Sequence, residues 1–217
     1  MSVVPVISVV GKSNVGKTTF LEKLIPELVR RGYRVGTLKH DVHGFELDTP
    51  GKDTWRHAQA GSRAVVISGP TKVAVLLAGD REATLDEAVS LIEGEVDIVI
   101  TEGYKRQRKP KIEVSRAAKG GDLLCTADEL ICLVTDSVHD LAVPQFGLDD
   151  AAGVADLLEQ RWLRGAGALR ASLIVDGKPI DVDAVAAQAL AEALQSLVGQ
   201  LAAGADAREV VLRLRRS

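Results

Sequence analysis

A nine-residue stretch early in the chain combines glycines, a lysine and a threonine at the spacing that binds phosphate. It fits the P-loop pattern G-x-x-x-x-G-K-[ST], and its residues are Gly11, Lys12, Ser13, Asn14, Val15, Gly16, Lys17, Thr18 and Thr19. The glycines let the backbone approach a phosphate closely, and the loop amides and the dipole of a following helix attract the anion. We expect Lys17 to reach the β- and γ-phosphates of a nucleotide and Thr18 to bind Mg²⁺ through its hydroxyl.

The segments on either side of this stretch are predicted to form the strand and the helix that a P-loop requires. A β-branched apolar run over residues 3–10 precedes it. The segment after it has apolar residues at helical spacing, namely Phe20, Leu21, Leu24, Ile25, Leu28 and Val29. Pro26 predicts a kink in this helix, and Gly32 predicts its end. This context favours a phosphate site over a chance match to the pattern.

Lys12 follows the first glycine of the loop, where the variant P-loop of dimeric nucleotide switches also has a lysine. In that role its side chain would reach a phosphate, often across a subunit interface. The alternative is a solvated loop lysine, and the sequence does not separate the two.

A second informative stretch is an apolar strand that ends in an acid and a glycine. It covers residues 96–101 and is followed by Glu102 and Gly103. The pattern resembles a Walker B element, because the carboxyl end of a parallel strand would place Glu102 near Mg²⁺ or its waters. A strand-end acid at the surface is the alternative. With a P-loop elsewhere in the sheet, we favour the metal-side role, and Lys17 and Glu102 are the candidate catalytic residues.

Two further loops are predicted at the same edge of the sheet. One follows a strand over 34–39 and offers Lys39, His40, Asp41 and His43. The histidines and the aspartate could bind a metal, but a polar loop beside phosphate is the interpretation that we favour.

The other loop, called the basic loop below, runs from Tyr104 to Lys111 and has five positive charges in eight residues. A run of this kind is usually a solvated face. Its position after Glu102 favours contact of some of its residues, Lys105 among them, with phosphates of a second ligand or with an acidic partner.

The rest of the chain carries ordinary signals of secondary structure. Residues 48–51 imitate the D-x-x-G switch signature of GTPases, with a Pro-Gly turn as the alternative, and Asp53 is predicted to cap a helix over 54–60. The other predicted elements are a hairpin over 63–78, a helix from Thr84 to about residue 93, strands over 111–116 and 130–135, and a helix over 149–164. The pattern predicts an α/β fold of the P-loop NTPase type, a mostly parallel sheet flanked by helices.

A linker over 165–168 is predicted to separate a P-loop domain, residues 1–165, from a small C-terminal α+β extension, residues 169–217. The extension reads as ββαβ, with a D-G turn in its hairpin and a helix that Asp183 caps. About fifty residues bury little core alone, so we expect this unit to dock on the first domain or on a second subunit.

Composition excludes several classes of protein. The 217 residues are 46% hydrophobic and 26% charged with a net charge of -3, which gives no reason to expect nucleic acid as a partner. No apolar run reaches transmembrane length and no signal peptide is evident, so we expect a cytoplasmic protein without a membrane partner. Cys125 and Cys132 match no zinc spacing and are expected to be free, buried thiols.

These elements together resemble the MobB family, the molybdopterin-guanine dinucleotide biosynthesis adapter proteins, over about residues 3–165. The resemblance rests on the P-loop, on Lys39-His40-Asp41, on Gly51-Lys52-Asp53 with Arg56-His57 and Ala60-Gly61, and on Thr101 to Lys105 leading to Pro110-Lys111-Ile112-Glu113. It implies a homodimeric GTP-binding protein with weak GTPase activity, assisting the molybdenum cofactor guanylyltransferase that attaches GMP to the molybdenum-bound pterin. It further implies that the P-loop holds GTP and Mg²⁺ and that Lys39, Asp41 and the basic loop face molybdopterin or the transferase.

The sequence departs from GTPase patterns in two respects. No convincing N-K-x-D signature is present, since Thr71-Lys72 lacks the following acid and Thr135-Asp136 is only a fragment, so guanine preference rests on the resemblance. No arginine finger or water-positioning glutamine stands out, which suits slow hydrolysis because a missing finger forfeits about 10³–10⁵ in rate.

Two other functions compete with the adapter. One is a P-loop kinase or ATP-dependent ligase acting on a small acidic substrate, for which Arg106, Arg108 and Arg116 could cover the phosphates, although no separate lid segment is apparent. The other is a nucleotide-binding scaffold without turnover. Substrate-dependent phosphate transfer would support the kinase, and nucleotide-dependent complex formation with a transferase would support the adapter.

Overall fold

The computed structural model describes residues 4–41, 44–120, 122–163, 173–175, 178–180, 186, 189–190, 192–194 and 196. The strands are β1 (Val6–Val10), β2 (Val35–Lys39), β3 (Ala64–Ser68), β4 (Val73–Leu77), β5 (Ile98–Glu102), β6 (Lys111–Ser115), β7 (Leu130–Thr135), β8 (Gln145–Phe146), β9 (Leu173–Val175) and β10 (Lys178–Ile180). The helices are α1 (Lys17–Arg30), α2 (Asp53–Gln59), α3 (Leu85–Ser90) and α4 (Ala151–Leu158), with a 3₁₀ turn at Ala117–Lys119 and a π-helical turn at Glu159–Leu163.

Six of the strands form one sheet in the order β2-β5-β1-β6-β7-β8, and every neighbouring pair is parallel. From β1 the chain moves to one side for β2 and β5 and to the other side for β6, β7 and β8. The end of β1 is therefore the switch point of the sheet, where α/β proteins bind ligands. The predicted α/β fold with a mostly parallel sheet is confirmed.

Both faces of the sheet are covered, because successive side chains of a strand point to opposite faces. Ile7 and Val9 belong to a core shared with Leu24 of α1 and Leu158 of α4. Val6 belongs to a second core on the other face, which also contains Leu85, Val89 and Val99. This two-sided burial explains why the strands read as nearly continuous apolar runs.

The last turn of α1 is tied to α4 by a cluster of charges around Arg31. Its guanidinium, only 14% exposed, lies 2.8 Å from Glu27, 2.6 Å from Asp156 and 2.8 Å from Glu159. Hydrogen bonds from Arg30 and Arg31 lower the pKa of Glu27 to about 2. Pro26 lies within α1 as predicted, and Gly32, with a φ of 93°, follows the helix end.

Strand β6 buries polar residues as well as apolar ones. All five of its residues are buried, although three of them, Lys111, Glu113 and Ser115, are polar or charged. Lys111 pairs with Glu129 at 2.6 Å, and the carboxylate of Glu113 accepts hydrogen bonds from the backbone N–H groups of Leu124 (2.7 Å) and Cys125 (3.0 Å). Buried charged groups are tolerated when they are paired in this way.

Some local predictions were wrong or incomplete. Lys52 rather than Asp53 is the N-cap of α2, and Asp53 is the first helical residue. β8 and the 3₁₀ turn were not predicted. Both cysteines are free as expected, but only Cys132 is fully buried, whereas Cys125 is partly exposed. Burial raises the pKa of each thiol to about 12.

The predicted hairpin is present as β3 and β4, paired antiparallel and separate from the main sheet. Many of its apolar side chains are more than half exposed to solvent, namely Val66, Ile67, Val73, Val75 and Leu77. A second hairpin, β9 with β10, matches the start of the predicted extension.

The described residues between 186 and 196 are helical, in agreement with the predicted helix. The D-G turn and the last strand of the predicted ββαβ extension lie outside the described residues. Among the residues that the structure describes, no helix is long and apolar enough to span a membrane.

Candidate nucleotide-binding site

The P-loop connects β1 to α1 through a backbone shape that requires glycine. Gly11 and Gly16 have φ values of 146° and 100°, and Asn14 has a φ of 58°. A Cβ on Gly11 would lie 2.3 Å from the carbonyl oxygen of Val114 in the neighbouring strand β6. The loop is therefore shaped both by its own sequence and by the strand beside it.

The remaining P-loop residues divide into an anchor and an exposed rim. Val15 is buried in the core and fixes the loop to the body of the domain. Ser13, Asn14, Thr18 and Thr19 are exposed. Since α1 begins at Lys17, the free N–H groups of its first turn lie beside the loop, where an anion is stabilised.

Lys17 lies across the loop. Its ammonium Nζ donates hydrogen bonds to the carbonyl oxygens of Gly11 at 3.1 Å and Lys12 at 2.8 Å. The positive charge is thus held at the mouth of the loop, where the phosphate-binding pattern predicts it.

Thr18 and Glu102 meet beside the loop, although 84 positions separate them in sequence. The hydroxyl Oγ1 of Thr18 lies 3.2 Å from Oε1 and 3.1 Å from Oε2 of Glu102. The parallel register brings this about, because Val9 of β1 is aligned with Glu102 at the end of β5. A hydroxyl and a carboxylate form a set of hard oxygen ligands, which suits Mg²⁺.

Lys12 contacts a loop of its own chain. Its Nζ donates to the carbonyl oxygen of Gly120 at 3.3 Å and lies 3.6 Å from the carboxylate of Asp122. These contacts join the P-loop to the segment after β6. A role for Lys12 across a subunit interface stays a prediction.

The loop after β2 also reaches this edge. The backbone N–H of His40 donates to the carbonyl oxygen of Glu102 at 3.1 Å, and its imidazole lies 2.5 Å from Glu82 and 4.8 Å from the ring of Tyr104. Lys39 and Asp41 are exposed. His43 lies outside the described residues, within which no cluster of three metal-binding side chains forms.

Two of the five positive charges of the basic loop are paired with acids of the same chain. Lys109 pairs with Asp86 at 2.8 Å, and Lys111 is buried in β6 beside Glu129. Lys105, Arg106 and Arg108 are exposed. Lys109 and Lys111 are therefore held by ion pairs with nearby acids, and a role of the three exposed residues toward a ligand or partner stays a prediction.

The D-x-x-G segment is built as a turn before α2. Oδ1 of Asp48 accepts hydrogen bonds from the backbone N–H of Thr49 at 2.8 Å and from the hydroxyl of Thr54 at 3.0 Å. Gly51 has a φ of 87°, and the N–H of Lys52 donates to the carbonyl oxygen of Thr49. These contacts fit the Pro-Gly turn interpretation, and a switch role stays a prediction.

Sequence reasoning did not place Arg116 against the P-loop. Its guanidinium lies 3.5 Å from the position of a Cβ on Gly16. Arg116 directly follows β6, so its position at the carboxyl end of a strand next to β1 is the signal that identifies it.

The parallel sheet order, the glycine loop between β1 and α1, and the acid at the end of β5 define a P-loop NTPase-like α/β protein. The sequence model of MobB, molybdopterin guanine dinucleotide synthesis protein B, matches residues 6–136, and the chain belongs to this family.

Similar proteins extend over most of the chain. It is 31% identical to a molybdopterin-guanine dinucleotide biosynthesis adapter protein of Haemophilus influenzae, covering 74% of this chain and 90% of that protein. It is 29% identical to the adapter protein of Escherichia coli, covering 75% and 95%. The crystal structure of Bacillus subtilis MobB is similar with a TM-score of 0.57 at 28% identity, covering 72% of this chain and 97% of that one.

Proposed function

We propose that this chain is a cytoplasmic GTP-binding adapter in molybdopterin guanine dinucleotide biosynthesis, with slow, Mg²⁺-dependent hydrolysis of GTP. The contact between Thr18 Oγ1 and the carboxylate of Glu102 carries the proposal, because it joins the two halves of a P-loop metal site. The relatives named as adapters favour this function over a phosphotransferase or a ligase.

Different residues of this chain are proposed to bind the phosphates and the metal ion. The P-loop amides and Lys17 hold the phosphates, with Gly11 and Gly16 giving the backbone its close approach. Thr18 and Glu102 would hold Mg²⁺, which stabilises negative charge on the phosphates when bound. The sequence shows no obvious arginine finger or water-positioning glutamine, which suits the slow hydrolysis proposed here.

The surface for molybdopterin or the guanylyltransferase is proposed at the edge that Lys39, Asp41 and Lys105 share. All three are exposed, and Arg106 and Arg108 beside them add positive charge. Anionic phosphate on the pterin, or an acidic patch on the transferase, is the chemistry that this edge would attract.

A homodimer is proposed, with the β3–β4 hairpin as the contact surface. Two isolated strands are marginally stable in water, and exposed apolar side chains such as Ile67 and Val75 need cover. A second copy of the hairpin supplies both apolar area and strand edges. In this proposal residues 1–165 form the GTP-binding domain, and residues 169–217 form an extension that docks on that domain or on the partner subunit.

Calorimetric titration with GTP and with ATP, each with Mg²⁺, tests the nucleotide proposal. Saturable binding with a preference for GTP is expected. A pull-down of the guanylyltransferase should then succeed with GTP present and weaken without it. Preference for ATP, or a pull-down indifferent to nucleotide, contradicts the proposed adapter.

Glu102→Gln is expected to slow GTP hydrolysis by about 10- to 100-fold, because the amide cannot supply the negative charge that the metal site needs. GTP binding should change much less, since the P-loop contacts remain. Single-turnover hydrolysis measures the effect, and Glu95→Gln, an exposed acid before β5, is the control. Equal turnover in wild type and Glu102→Gln would remove Glu102 from the metal side.

A further inference from the structure

The chain turns sharply directly after Glu102, through two consecutive residues with a left-handed backbone. Gly103 has a φ of 101° and Tyr104 a φ of 52°. Among the described residues, Asn14 in the P-loop is the only other non-glycine residue with a positive φ. A tyrosine in this conformation is strained, and such strain persists where surrounding contacts hold it in place, most often at functional sites. The contacts around this turn therefore bear on the acid that precedes it.

The side chain of His40 packs against this turn. Its imidazole lies 4.8 Å from the ring of Tyr104, centroid to centroid, with the two planes inclined by 32°. A Cβ on Gly103 would lie 3.3 Å from the Cβ of His40, so the backbone of the turn lies close to the histidine as well. Tyr104 also packs against the core that contains Val89 and Val99. The strained residue is thus held between His40 and the core.

His40 is itself fixed at two points. Nε2 of its imidazole lies 2.5 Å from Oε1 of Glu82, and its backbone N–H donates to the carbonyl oxygen of Glu102 at 3.1 Å. On the other side, the N–H of Gly103 donates to the carbonyl oxygen of Val9 in β1 at 3.1 Å. The peptide that follows Glu102 therefore lies between β1 and His40, and the pairing with Glu82 keeps the imidazole against the turn.

We propose that His40 is a positioning residue that directs the carboxylate of Glu102 toward the metal site. Glu102 is the last residue of β5, so the direction of its side chain depends on the turn that follows. In the observed turn, Oε2 of Glu102 lies 3.1 Å from the hydroxyl of Thr18. Loss of the imidazole would let Tyr104 relax toward an ordinary conformation and would turn the acid away from Thr18. The inference rests on the proposed Mg²⁺-dependent hydrolysis of GTP.

Binding of Mn²⁺, which takes the same oxygen ligands as Mg²⁺, tests this role in the complex of the chain with guanylyl imidodiphosphate, a non-hydrolysable GTP analogue. Electron paramagnetic resonance measures the free ion. His40→Ala should weaken Mn²⁺ binding by about 10-fold or more, and Glu82→Ala should weaken it less, because an outer contact of a metal ligand is lost. Affinity for the analogue without metal should stay near that of wild type. His57→Ala, which changes an exposed histidine on α2, is the matched control.

A double substitution separates positioning from a general effect on the fold. If His40 acts through Glu102, His40→Ala should add less than about 2-fold to the loss that Glu102→Gln causes alone. Losses that multiply in the double variant would overturn the inference. Unchanged Mn²⁺ affinity in both His40→Ala and Glu82→Ala would overturn it as well, and the exposed position of Glu82 makes the second variant safe for the fold. Failure of the wild-type chain to bind the analogue would instead overturn the proposed function, and this inference with it.

Discussion

Replacing Lys17 with alanine is expected to lower GTP affinity by about 100-fold or more while leaving the fold intact. Charged hydrogen bonds contribute about 1.5–3 kcal/mol each, and the P-loop pattern predicts that Lys17 reaches both the β- and the γ-phosphate. Its own contacts are with the carbonyl oxygens of Gly11 and Lys12, at the mouth of the loop and outside the core. Isothermal calorimetry measures the affinity, and circular dichroism checks the fold.

Lys23→Ala is the matched control for this change. It removes a lysine from the same helix, where Lys23 pairs with Asp149 and is not part of the phosphate contacts. Its GTP affinity should stay near that of wild type. A Lys17→Ala protein that binds GTP as tightly as wild type would remove the phosphate site from this loop.

Gly11→Ala should destabilise the whole domain by about 3 kcal/mol or more, which is the largest stability effect expected here. The new Cβ would lie 2.3 Å from the carbonyl oxygen of Val114, and φ at this position is 146°. That carbonyl belongs to a central strand, so it cannot move away without breaking sheet contacts. The midpoint of urea denaturation measures the loss.

Gly32→Ala separates the clash from the backbone strain. Gly32 also has a positive φ, 93°, but nothing lies within 4 Å of the position of its Cβ. This control should cost only about 1–2 kcal/mol, the strain of a non-glycine residue in that region. Equal destabilisation by the two variants would show that strain alone matters and that contact with β6 does not.

The sequence predicts the local parts of the site well and its long-range parts poorly. The P-loop could be predicted because its glycines, Lys17 and Thr18 are neighbours in sequence and lie between a strand and a helix. The position of Glu102 could be predicted because a strand-end acid lies at the ligand edge of a parallel sheet. The contact of Glu102 with Thr18 depends on the pairing of β1 with β5, which no local pattern specifies.

The surroundings of Lys111 and Arg116 could not be predicted, because both residues contact segments that are distant in sequence. The sequence allows Lys111 a place in a solvated basic loop as well as at the start of a strand, but β6 lies between β1 and β7, and Glu129 neutralises the buried ammonium. The sequence indicates Arg116 only as one of three arginines that could cover phosphates, because its contact with Gly16 depends on the same strand order. Burial and contact follow from which strands are neighbours, and that information is distributed along the chain.

Three contacts join the P-loop to one neighbouring segment: Gly11 against Val114, Gly16 against Arg116, and Lys12 against Gly120. A change in the conformation of the P-loop is therefore expected to move the exposed segment over residues 117–120, which lies away from Glu102. Suppose that a molecule binds that surface more tightly in one loop conformation than in another. By thermodynamic linkage, this molecule changes the affinity of the chain for nucleotide, and nucleotide changes the affinity for this molecule by the same factor. A protein that binds the segment after β6 would therefore bind the nucleotide-bound and the nucleotide-free chain with different affinities.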